Sequence, residues 1–327
     1  MRILFIGRRF FGYERIISEE LQGRGFDVDF VPDVPFNSTF MKALTRTFWP
    51  LMRPFAERLM KKKIYAVTQD SRYECIFVVI GECLTVGLLR NLKERYPSAK
   101  FSLHLWDSLS NRRQHLIKNF PFFDKISSFD PHDSQRHELI FRPLFYSSDA
   151  VSPNINCRWD IAFIGTAHSD RFRLLSQIHN DLDGTSSFFC YLYGHAKWVH
   201  TAYRLLRPSY WIRSDLDVKF TPLSRAEYND VIASSRCLID IEHTAQAGLT
   251  IRTFEILAAG KKLITTNVEI RSYDFYDSRN IHILNRRNPT IPKDFIFSEA
   301  LDRPLLSEKY SLKCWVDEVI EFPVSGS

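Results

Sequence analysis

A short apolar run, a glycine and a helix-like stretch follow one another twice in this chain, and this repeat restricts the possible folds more than any other feature. The first copy starts at residues 3–6 and is followed by Gly7. The second copy, residues 160–165, reads DIAFIG. A strand, a turn and a helix in this order are typical of the start of a parallel α/β sheet. With 327 residues, the chain has room for two such domains of about 150 residues each.

Strand and helix patterns alternate after each copy, as they do in Rossmann-like domains. The predicted strands lie at 3–6, 25–31, 75–80, 101–106, 125–128, 138–141, 160–165, 187–193, 237–241 and 262–266, and the predicted helices at 13–21, 171–182, 224–235, 250–259 and 307–321. The pattern therefore predicts the α/β class, with two Rossmann-like domains that face each other across a cleft. We expect an N-terminal domain over 1–150, a C-terminal domain over 151–310 and a terminal helix, 311–327, that crosses back to the N-terminal domain.

Composition and charge exclude several classes of protein. No apolar run approaches the roughly 18 residues of a spanning helix and the first residues lack a signal-peptide pattern, so we expect a cytoplasmic protein. The six cysteines are scattered without a Cys-x-x-Cys pair, which favours reduced thiols over a zinc site. The net charge of +6 favours an anionic partner such as a nucleotide, a phosphoglycolipid or a bilayer surface. The sequence contains no helix-turn-helix, zinc-finger or RNP signature, so we expect no nucleic-acid partner.

The segment 245–260, AQAGLTIRTFEILAAG, combines a glycine turn with the start of a predicted helix. Residues 247–250 could point their backbone amides at a pyrophosphate, because a helix N-terminus favours anions. Arg252 would add a charged fork to the same phosphates. Glu255 could accept hydrogen bonds from both hydroxyls of a ribose. The alternative is that Thr250 and Arg252 simply begin a solvated helix that Glu255 caps.

The longer run GLTIRTFEILAAGKKLITTN resembles the donor-binding segment of GT-B glycosyltransferases, in particular the CgeB-like and lipopolysaccharide or capsule biosynthesis proteins of bacteria. HLWDS, SSFDPHD, RPLFY, DIAFIGTAHSDRFRLL and YDFYDSRNI add to the resemblance, which covers most of the chain. It implies transfer of a sugar from a nucleotide-sugar donor to a lipid-linked or polysaccharide acceptor, without a cofactor. The donor-binding residues that it implies are Gly165, Thr166, Arg171, Gln246, Gly248, Thr250, Arg252 and Glu255. The loop after Gly7 departs from the GxGxxG of dinucleotide binders, which disfavours a nicotinamide enzyme.

An inverting transfer needs a carboxylate or a histidine that takes the proton of the acceptor hydroxyl. Asp107 is our first candidate, because it directly follows the strand pattern 101–106 and should lie at the carboxyl end of the sheet. The alternative is that Asp107 caps a helix that starts near Ser110. His168 and Glu242 are further candidates for the catalytic site, although a lone histidine in a polar loop is often a solvated surface residue.

Paired aspartates could indicate a metal, and the chain contains three Asp-x-Asp strings. They lie at 27–29 in a strand, at 181–183 at a helix end and at 215–217 in an irregular basic stretch. None of these places suits a metal site, so we expect no metal. Arginines and helix dipoles would then neutralise the leaving phosphate.

Two stretches rich in basic and aromatic residues suggest peripheral attachment to the inner face of the cytoplasmic membrane. Over 40–65, apolar residues recur at helical spacing among lysines and arginines, and Pro50 and Pro54 indicate two short helices joined by a kink. Over 197–213, tryptophans and tyrosines alternate with arginines. In each case the alternative is an amphipathic helix whose apolar side joins the core.

The sequence therefore predicts a metal-independent glycosyltransferase that binds its donor in the C-terminal domain and its acceptor in the N-terminal domain. Two other interpretations stay open. One is a catalytically silent subunit that binds a nucleotide sugar or a glycan, and the other is a sugar-nucleotide epimerase of similar fold.

Overall fold

A computed structural model describes most of the chain, and the strands and helices below belong to that part. The described residues are 1–36, 38, 40–41, 44–45, 48–68, 72–111, 114–147, 157–167, 169–182, 184, 186–194, 196–206, 216–301 and 306–323. The chain divides into two compact units. The N-terminal unit comprises Met1–Leu144, Ala245–Gly248 and Ser311–Ser327, and the C-terminal unit comprises Phe145–Thr244 and Leu249–Tyr310.

The N-terminal unit is built on a parallel six-stranded sheet in the order β2-β1-β3-β4-β5-β6. Its strands are β1 Arg2–Gly7, β2 Asp27–Pro32, β3 Cys75–Val79, β4 Lys100–Leu105, β5 Lys125–Ser128 and β6 Ile140–Phe141. The central strands are almost continuously apolar because helices cover both faces of a parallel sheet, and every residue of β3 is buried. The predicted strands of this half are present, with shifts of one or two residues at most ends.

Helices connect these strands. They are α1 Tyr13–Gly23, α2 Trp49–Val67, α3 Val86–Arg95 and α4 Pro131–His137, with 3₁₀ turns at Leu109–Asn111 and Gln114–Phe122. The expectation of two helices around Pro50 and Pro54 is wrong over 49–67, where one continuous helix forms. Pro50 lies in the first turn, where the missing N–H has no helical partner to lose. The buried face, Ala56, Met60 and Ile64, follows Pro54 and holds the helix against the core.

The C-terminal unit repeats this architecture with the strand order β12-β11-β10-β7-β8-β9, all parallel. Its strands are β7 Trp159–Thr166, β8 Phe188–Tyr193, β9 Val218–Lys219, β10 Ser235–Asp240, β11 Lys262–Thr265 and β12 Ile281–Ile283. Its helices are α5 Arg171–Asp181, α6 Lys197–Leu206, α7 Arg225–Ala233, α8 Ile251–Ala258 and α9 Lys293–Phe297, with a 3₁₀ turn at Val268–Ser272. The sequence did not reveal β9 and β12, because strands of two or three residues at a sheet edge carry too few apolar positions to form a pattern.

The last helix, α10 Leu312–Val319, belongs to the N-terminal unit and follows a 3₁₀ turn at Glu308–Tyr310. Ser311 caps it by accepting a hydrogen bond from the Cys314 amide at 3.2 Å. Trp315 is fully buried, and its ring meets the ring of His104 edge to face at 4.9 Å. This helix therefore completes the hydrophobic core of the N-terminal unit.

Candidate functional site

Asp240 organises the carboxyl end of the central strand β10 in the C-terminal unit. Its carboxylate is 1% exposed and accepts hydrogen bonds from the hydroxyls of Thr250 at 2.6 Å and Thr253 at 2.8 Å. Arg252 forms an ion pair with the other oxygen at 3.1 Å. A buried carboxylate needs such partners to offset its desolvation. Asp240 therefore fixes the first turn of α8, and with it two of the predicted donor-binding residues.

Arg286 is a site residue that the sequence reasoning missed. Its guanidinium bridges Asp170 at 2.7 Å and Glu242 at 2.6 Å, and it also donates to the Glu242 carbonyl at 2.8 Å. Glu242 in addition accepts a hydrogen bond from the Thr266 hydroxyl. Arg286 follows β12, the strand too short to detect in the sequence. The predicted catalytic candidate Glu242 is thus a buried carboxylate bound by both Arg286 and Thr266. This arrangement is suited to holding Arg286 in place.

Arg171 lies beneath this network and is 5% exposed. Its Nε donates to the Ile241 carbonyl at 2.7 Å, and Nη1 donates to the carbonyl and the hydroxyl of Thr166 at 3.1 and 3.2 Å. A Cβ on Gly165 would lie 2.7 Å from the Phe163 ring and 3.3 Å from Nη1 of Arg171, so a larger residue here would displace these side chains. Burial, followed by the charge of Arg252, lowers the pKa of Arg171 to about 9, which still leaves the guanidinium charged at neutral pH. This geometry favours a structural role, in which Arg171 joins the ends of β7 and β10.

Glu255 is 6% exposed and connects α8 to α7. One of its carboxylate oxygens pairs with Arg225 at 2.8 Å, and the other accepts a hydrogen bond from the Tyr228 hydroxyl at 2.5 Å. Arg225 also lies over the Tyr228 ring at 5.4 Å. Each carboxylate oxygen can accept more than one hydrogen bond, so the predicted contact to a ribose is compatible with these partners.

The predicted donor-binding residues Gln246 and Gly248 belong to the N-terminal unit, whereas Thr250, Arg252 and Glu255 belong to the C-terminal unit. The Gln246 side chain donates to the Gly248 carbonyl at 2.7 Å. The amides of Ala247 and Gly248, which the sequence assigned to a pyrophosphate, donate to the carboxylate of Asp130 at 3.1 and 3.3 Å. Two of the amides expected to bind phosphate are thus already hydrogen-bonded to Asp130, which is distant in the sequence.

Asp107 follows β4 and Trp106 and is half-buried. The alternative was that Asp107 caps a helix near Ser110, but only the 3₁₀ turn Leu109–Asn111 begins there. The neighbouring residue Ser108 is 1% exposed and donates its hydroxyl to Asp130. The third catalytic candidate, His168, lies outside the described residues. The N-terminal and C-terminal units therefore contain one half-buried and one buried carboxylate candidate, Asp107 and Glu242.

A second charged cluster at the carboxyl ends of β1, β2 and β3 was also absent from the sequence predictions. Arg8 forms ion pairs with Glu82 and with Asp33, which is fully buried. The Glu82 amide donates to Asp33 at 3.1 Å. Ile80, directly before the glycine that begins this turn, has a φ of 70°, which is a strained conformation for a β-branched residue. The cluster is formed by residues far apart in the sequence, so no local motif could reveal it.

The N-terminal half of α2 and Phe48, the residue before it, expose apolar side chains. Phe48, Leu51 and Phe55 are 54%, 80% and 49% exposed. The alternative that this apolar side joins the core is wrong for these three residues, although Phe55 stacks on Phe36 with ring centroids 5.8 Å apart. Lys61 and Lys62 follow on the same helix and are exposed. Of the stretch 197–213, α6 exposes Trp198 and Leu205, while 207–213 lies outside the described residues.

Neither a metal-binding cluster nor a membrane-spanning helix is present in the described part of the chain. It contains no group of three or more histidine, cysteine or carboxylate side chains that could hold a metal ion. Within the same ranges, no helix is both long and apolar enough to cross a membrane.

Comparison with protein-family models gives no match, and comparison with curated proteins gives none either. Among solved structures, the chain is similar to HepE of Anabaena in complex with UDP and glucose, with a TM-score of 0.52 and 13% identity over 87% of this chain and 86% of that one. It is also similar to a glycosyltransferase from Rickettsia africae, with a TM-score of 0.49 and 13% identity over 88% and 85% of the two chains. MurG of Acinetobacter baumannii gives a TM-score of 0.47 and 11% identity over 88% and 86%. The similarity to HepE, together with the two parallel six-stranded sheets, identifies the fold as two Rossmann-like domains of the GT-B type.

Proposed function

We propose that this protein is a glycosyltransferase that moves a sugar from a nucleotide-sugar donor to a lipid-linked or polysaccharide acceptor, as in lipopolysaccharide or capsule biosynthesis. The observation that carries the proposal is the arginine and carboxylate network at the carboxyl ends of β7, β10, β11 and β12. Ligands of open parallel sheets bind at this end of the strands. HepE, which shares the fold, was solved with UDP and glucose.

Arg252 and Arg286 are the residues that we assign to the diphosphate of the donor. Their side chains are 19% and 22% exposed, whereas Arg171 is buried beneath them. In the free protein, Asp240, Asp170 and Glu242 hold both guanidiniums in fixed positions. Fixed cations cost little reorganisation when charge develops on a leaving phosphate, which favours the departure of the nucleotide without a metal ion.

The chemistry that we propose is a displacement at the anomeric carbon. The acceptor hydroxyl forms the new glycosidic bond while the bond from the sugar to the terminal phosphate oxygen of the donor breaks. Asp107 takes the proton of the hydroxyl. Thr250, Arg252 and Glu255 hold the nucleotide, and Gly165, Thr166 and Arg171 support that part of the site, with Gln246 and Gly248 at its margin. No cofactor takes part in this scheme.

The exposed apolar residues of α2 support peripheral membrane attachment next to a lipid-linked acceptor. A contiguous exposed apolar patch beside lysines suits the boundary between acyl chains and anionic headgroups. Each Lys or Arg near an anionic surface contributes about 1 kcal/mol, and this part weakens at high salt because the Debye length falls to about 3 Å at 1 M. Replacing Lys61, Lys62 and Lys63 with glutamine should therefore shift the protein toward the supernatant in vesicle sedimentation.

Sedimentation with neutral and anionic vesicles, at low and at high salt, checks the attachment. The variant Leu51→Ser tests the apolar part separately, because it should weaken binding equally at both salt concentrations. Equal pelleting with neutral and anionic vesicles, or none at low salt, would remove the membrane from the proposal.

The proposed activity is tested with a panel of nucleotide sugars. The donor that binds should raise the melting temperature, because a ligand at 100 times its dissociation constant stabilises the fold by about 2.7 kcal/mol. With that donor, a transferase releases nucleotide and free sugar slowly in the absence of acceptor. A silent binding subunit would release neither, and an epimerase would return an isomeric nucleotide sugar.

A further inference from the structure

Asp130 accepts hydrogen bonds from three separate segments of the N-terminal unit and is 2% exposed. One oxygen, Oδ1, caps α4 by accepting hydrogen bonds from two amides of its first turn at 3.0 and 3.3 Å. The other oxygen, Oδ2, accepts hydrogen bonds from the Ser108 hydroxyl and from the amides of Ala247 and Gly248. The carboxylate thus joins a helix start, the loop 106–110 after β4, and the segment 245–248.

The loop 106–110 is held at three consecutive residues. Besides the bond from Ser108 to Asp130, the Leu109 amide donates to Asp133 at 2.6 Å. The Ser110 hydroxyl donates to the Ala245 carbonyl at 2.9 Å, so the loop is tied to the segment 245–248 directly as well. Asp107 lies immediately before these three anchors. The chain directly after Asp107 is therefore held by Asp130, Asp133 and the Ala245 carbonyl.

The segment 245–248 fits closely against Phe129, the residue between β5 and Asp130. A Cβ on Gly248 would lie 2.6 Å from the Phe129 ring and 2.7 Å from the Phe129 carbonyl oxygen. The Asp130 amide is itself fixed by the Ser128 hydroxyl at 3.1 Å. Thr250 and Arg252, which are assigned to the donor, follow this segment directly in the chain. A displacement of Asp130 would be passed to them through the backbone.

We propose that Asp130 is a positioning residue that fixes the loop carrying Asp107 and the segment leading to the donor-binding helix α8 at the same time. This inference rests on the proposed glycosyl transfer, because it assigns the geometry of that site. Asp130 itself touches neither substrate. Its contribution is geometric, and misplacing a reacting group by about 1 Å can lower a rate on the order of 100-fold.

Two variants separate the two connections. Ser108→Ala removes the hydroxyl bond and leaves the amides of Ala247 and Gly248 on the carboxylate. Asp130→Asn places an NH₂ group against some of the N–H donors and disturbs both connections. The matched control is Thr85→Ala, which removes the cap of α3, a buried hydroxyl that accepts the Leu88 amide at 3.3 Å. This control removes a capping hydrogen bond in the same unit without touching either segment.

The measurements are kcat, the donor KM and hydrogen exchange of the amides of Ala247 and Gly248. Ser108→Ala should lower kcat about 10-fold or more and leave the donor KM within about 2-fold of wild type. Asp130→Asn should lower kcat, raise the donor KM and accelerate exchange of both amides. Thr85→Ala should leave all three at wild-type values.

Three results would overturn the inference: a kcat for Ser108→Ala equal to that of Thr85→Ala, unchanged exchange in Asp130→Asn, or tighter donor binding in Asp130→Asn. The last would mean that Asp130 competes with the donor phosphate for the two amides. A wild-type protein that consumes no nucleotide sugar would overturn the proposed function instead. Amide exchange of Ala247 and Gly248 in Asp130→Asn would still decide whether the carboxylate holds the segment 245–248. If Asp130→Asn does not fold, amide exchange of Leu109 and Ser110 in Ser108→Ala decides whether the carboxylate holds the loop 106–110.

Discussion

After β5 in the N-terminal unit and at the carboxyl end of β10 in the C-terminal unit, buried carboxylates have different partners. In the N-terminal unit, Asp130 and Asp133 accept hydrogen bonds from hydroxyls and backbone amides. In the C-terminal unit, Asp240 and Glu242 pair with the guanidiniums of Arg252 and Arg286. Neutral partners leave the negative charge in place, whereas arginines balance it and add cations that an anionic ligand can reach.

This difference suggests that the two sites, although built on the same architecture, bind ligands of different charge. Burial raises the pKa of Asp133, and the nearby charge of Asp130 acts in the same direction. An environment that disfavours additional negative charge suits a neutral hydroxyl ligand better than a phosphate. The C-terminal edge, with three arginines around three carboxylates, suits a diphosphate. Four predictions test this contrast, beginning with the largest expected effect.

Asp107→Asn should lower turnover by about two to four orders of magnitude, because the acceptor hydroxyl loses its base. Nucleotide affinity measured by calorimetry should not change, since the substitution lies in the N-terminal unit. Asp27→Asn, at the opposite end of that unit's sheet, makes the same chemical change and should leave turnover at the wild-type value. Near-normal turnover in Asp107→Asn would remove this residue from the mechanism.

Arg252→Gln and Arg286→Gln should each weaken nucleotide binding by about 1.5–3 kcal/mol, the range for hydrogen bonds to a charged group. Arg279→Gln is the control, because Arg279 pairs with Asp277 on the surface of the same unit with 67% of its side chain exposed. Calorimetry with the best nucleotide from the donor panel measures the difference. Equal affinities in all three variants would mean that the arginine network only holds the fold together.

The N-terminal unit should account for much of the acid sensitivity of the fold through His104. Its side chain is fully buried, and burial, with a smaller effect of Arg142, lowers its pKa to about 3 from 6.5. Because the unfolded chain binds this proton first, the stability due to neutral His104 is complete above pH 6.5 and is lost as the pH falls toward 3. Between pH 6.5 and 5 the loss should be about 2 kcal/mol.

The variant His104→Gln should flatten that part of the stability curve, measured by denaturant unfolding at a series of pH values. His179→Gln, on the partly exposed face of α5 in the C-terminal unit, should keep the wild-type slope. If the stability of His104→Gln falls with decreasing pH as steeply as that of the wild type, His104 does not cause the acid sensitivity.

The smallest expected effect compares a tight glycine from each unit. Gly248→Ala should destabilise the fold by about 1–3 kcal/mol, because the new methyl group meets a backbone carbonyl as well as the Phe129 ring. Gly165→Ala should cost less, because its methyl group meets the Phe163 ring and Arg171, both side chains that can shift. Gly23→Ala has no atom within 4 Å of the new methyl group and serves as the control in thermal unfolding. The reverse order would mean that the segment 245–248 is less rigid than the end of β7.

Much of the fold was predictable from the sequence. The central strands of both sheets are largely apolar, and glycines stand near the ends of β1 and β7, before the helices that follow, so a repeated α/β unit follows from local pattern alone. The continuous helix at Pro54 was not predictable, because the packing of Met60 and Ile64 against the core overrides a local preference.

The sequence by itself determined that there are two parallel α/β units and which side chains stand near the ends of their strands, because these features depend on short-range periodicity. Only the tertiary structure decided the partners of those side chains. Asp130 meets Gly248 across 118 residues, and Arg286 meets Asp170 across 116. Such pairs form only when the fold brings distant segments together, and the charge environment of a carboxylate depends on those partners rather than on the residues beside it in the chain.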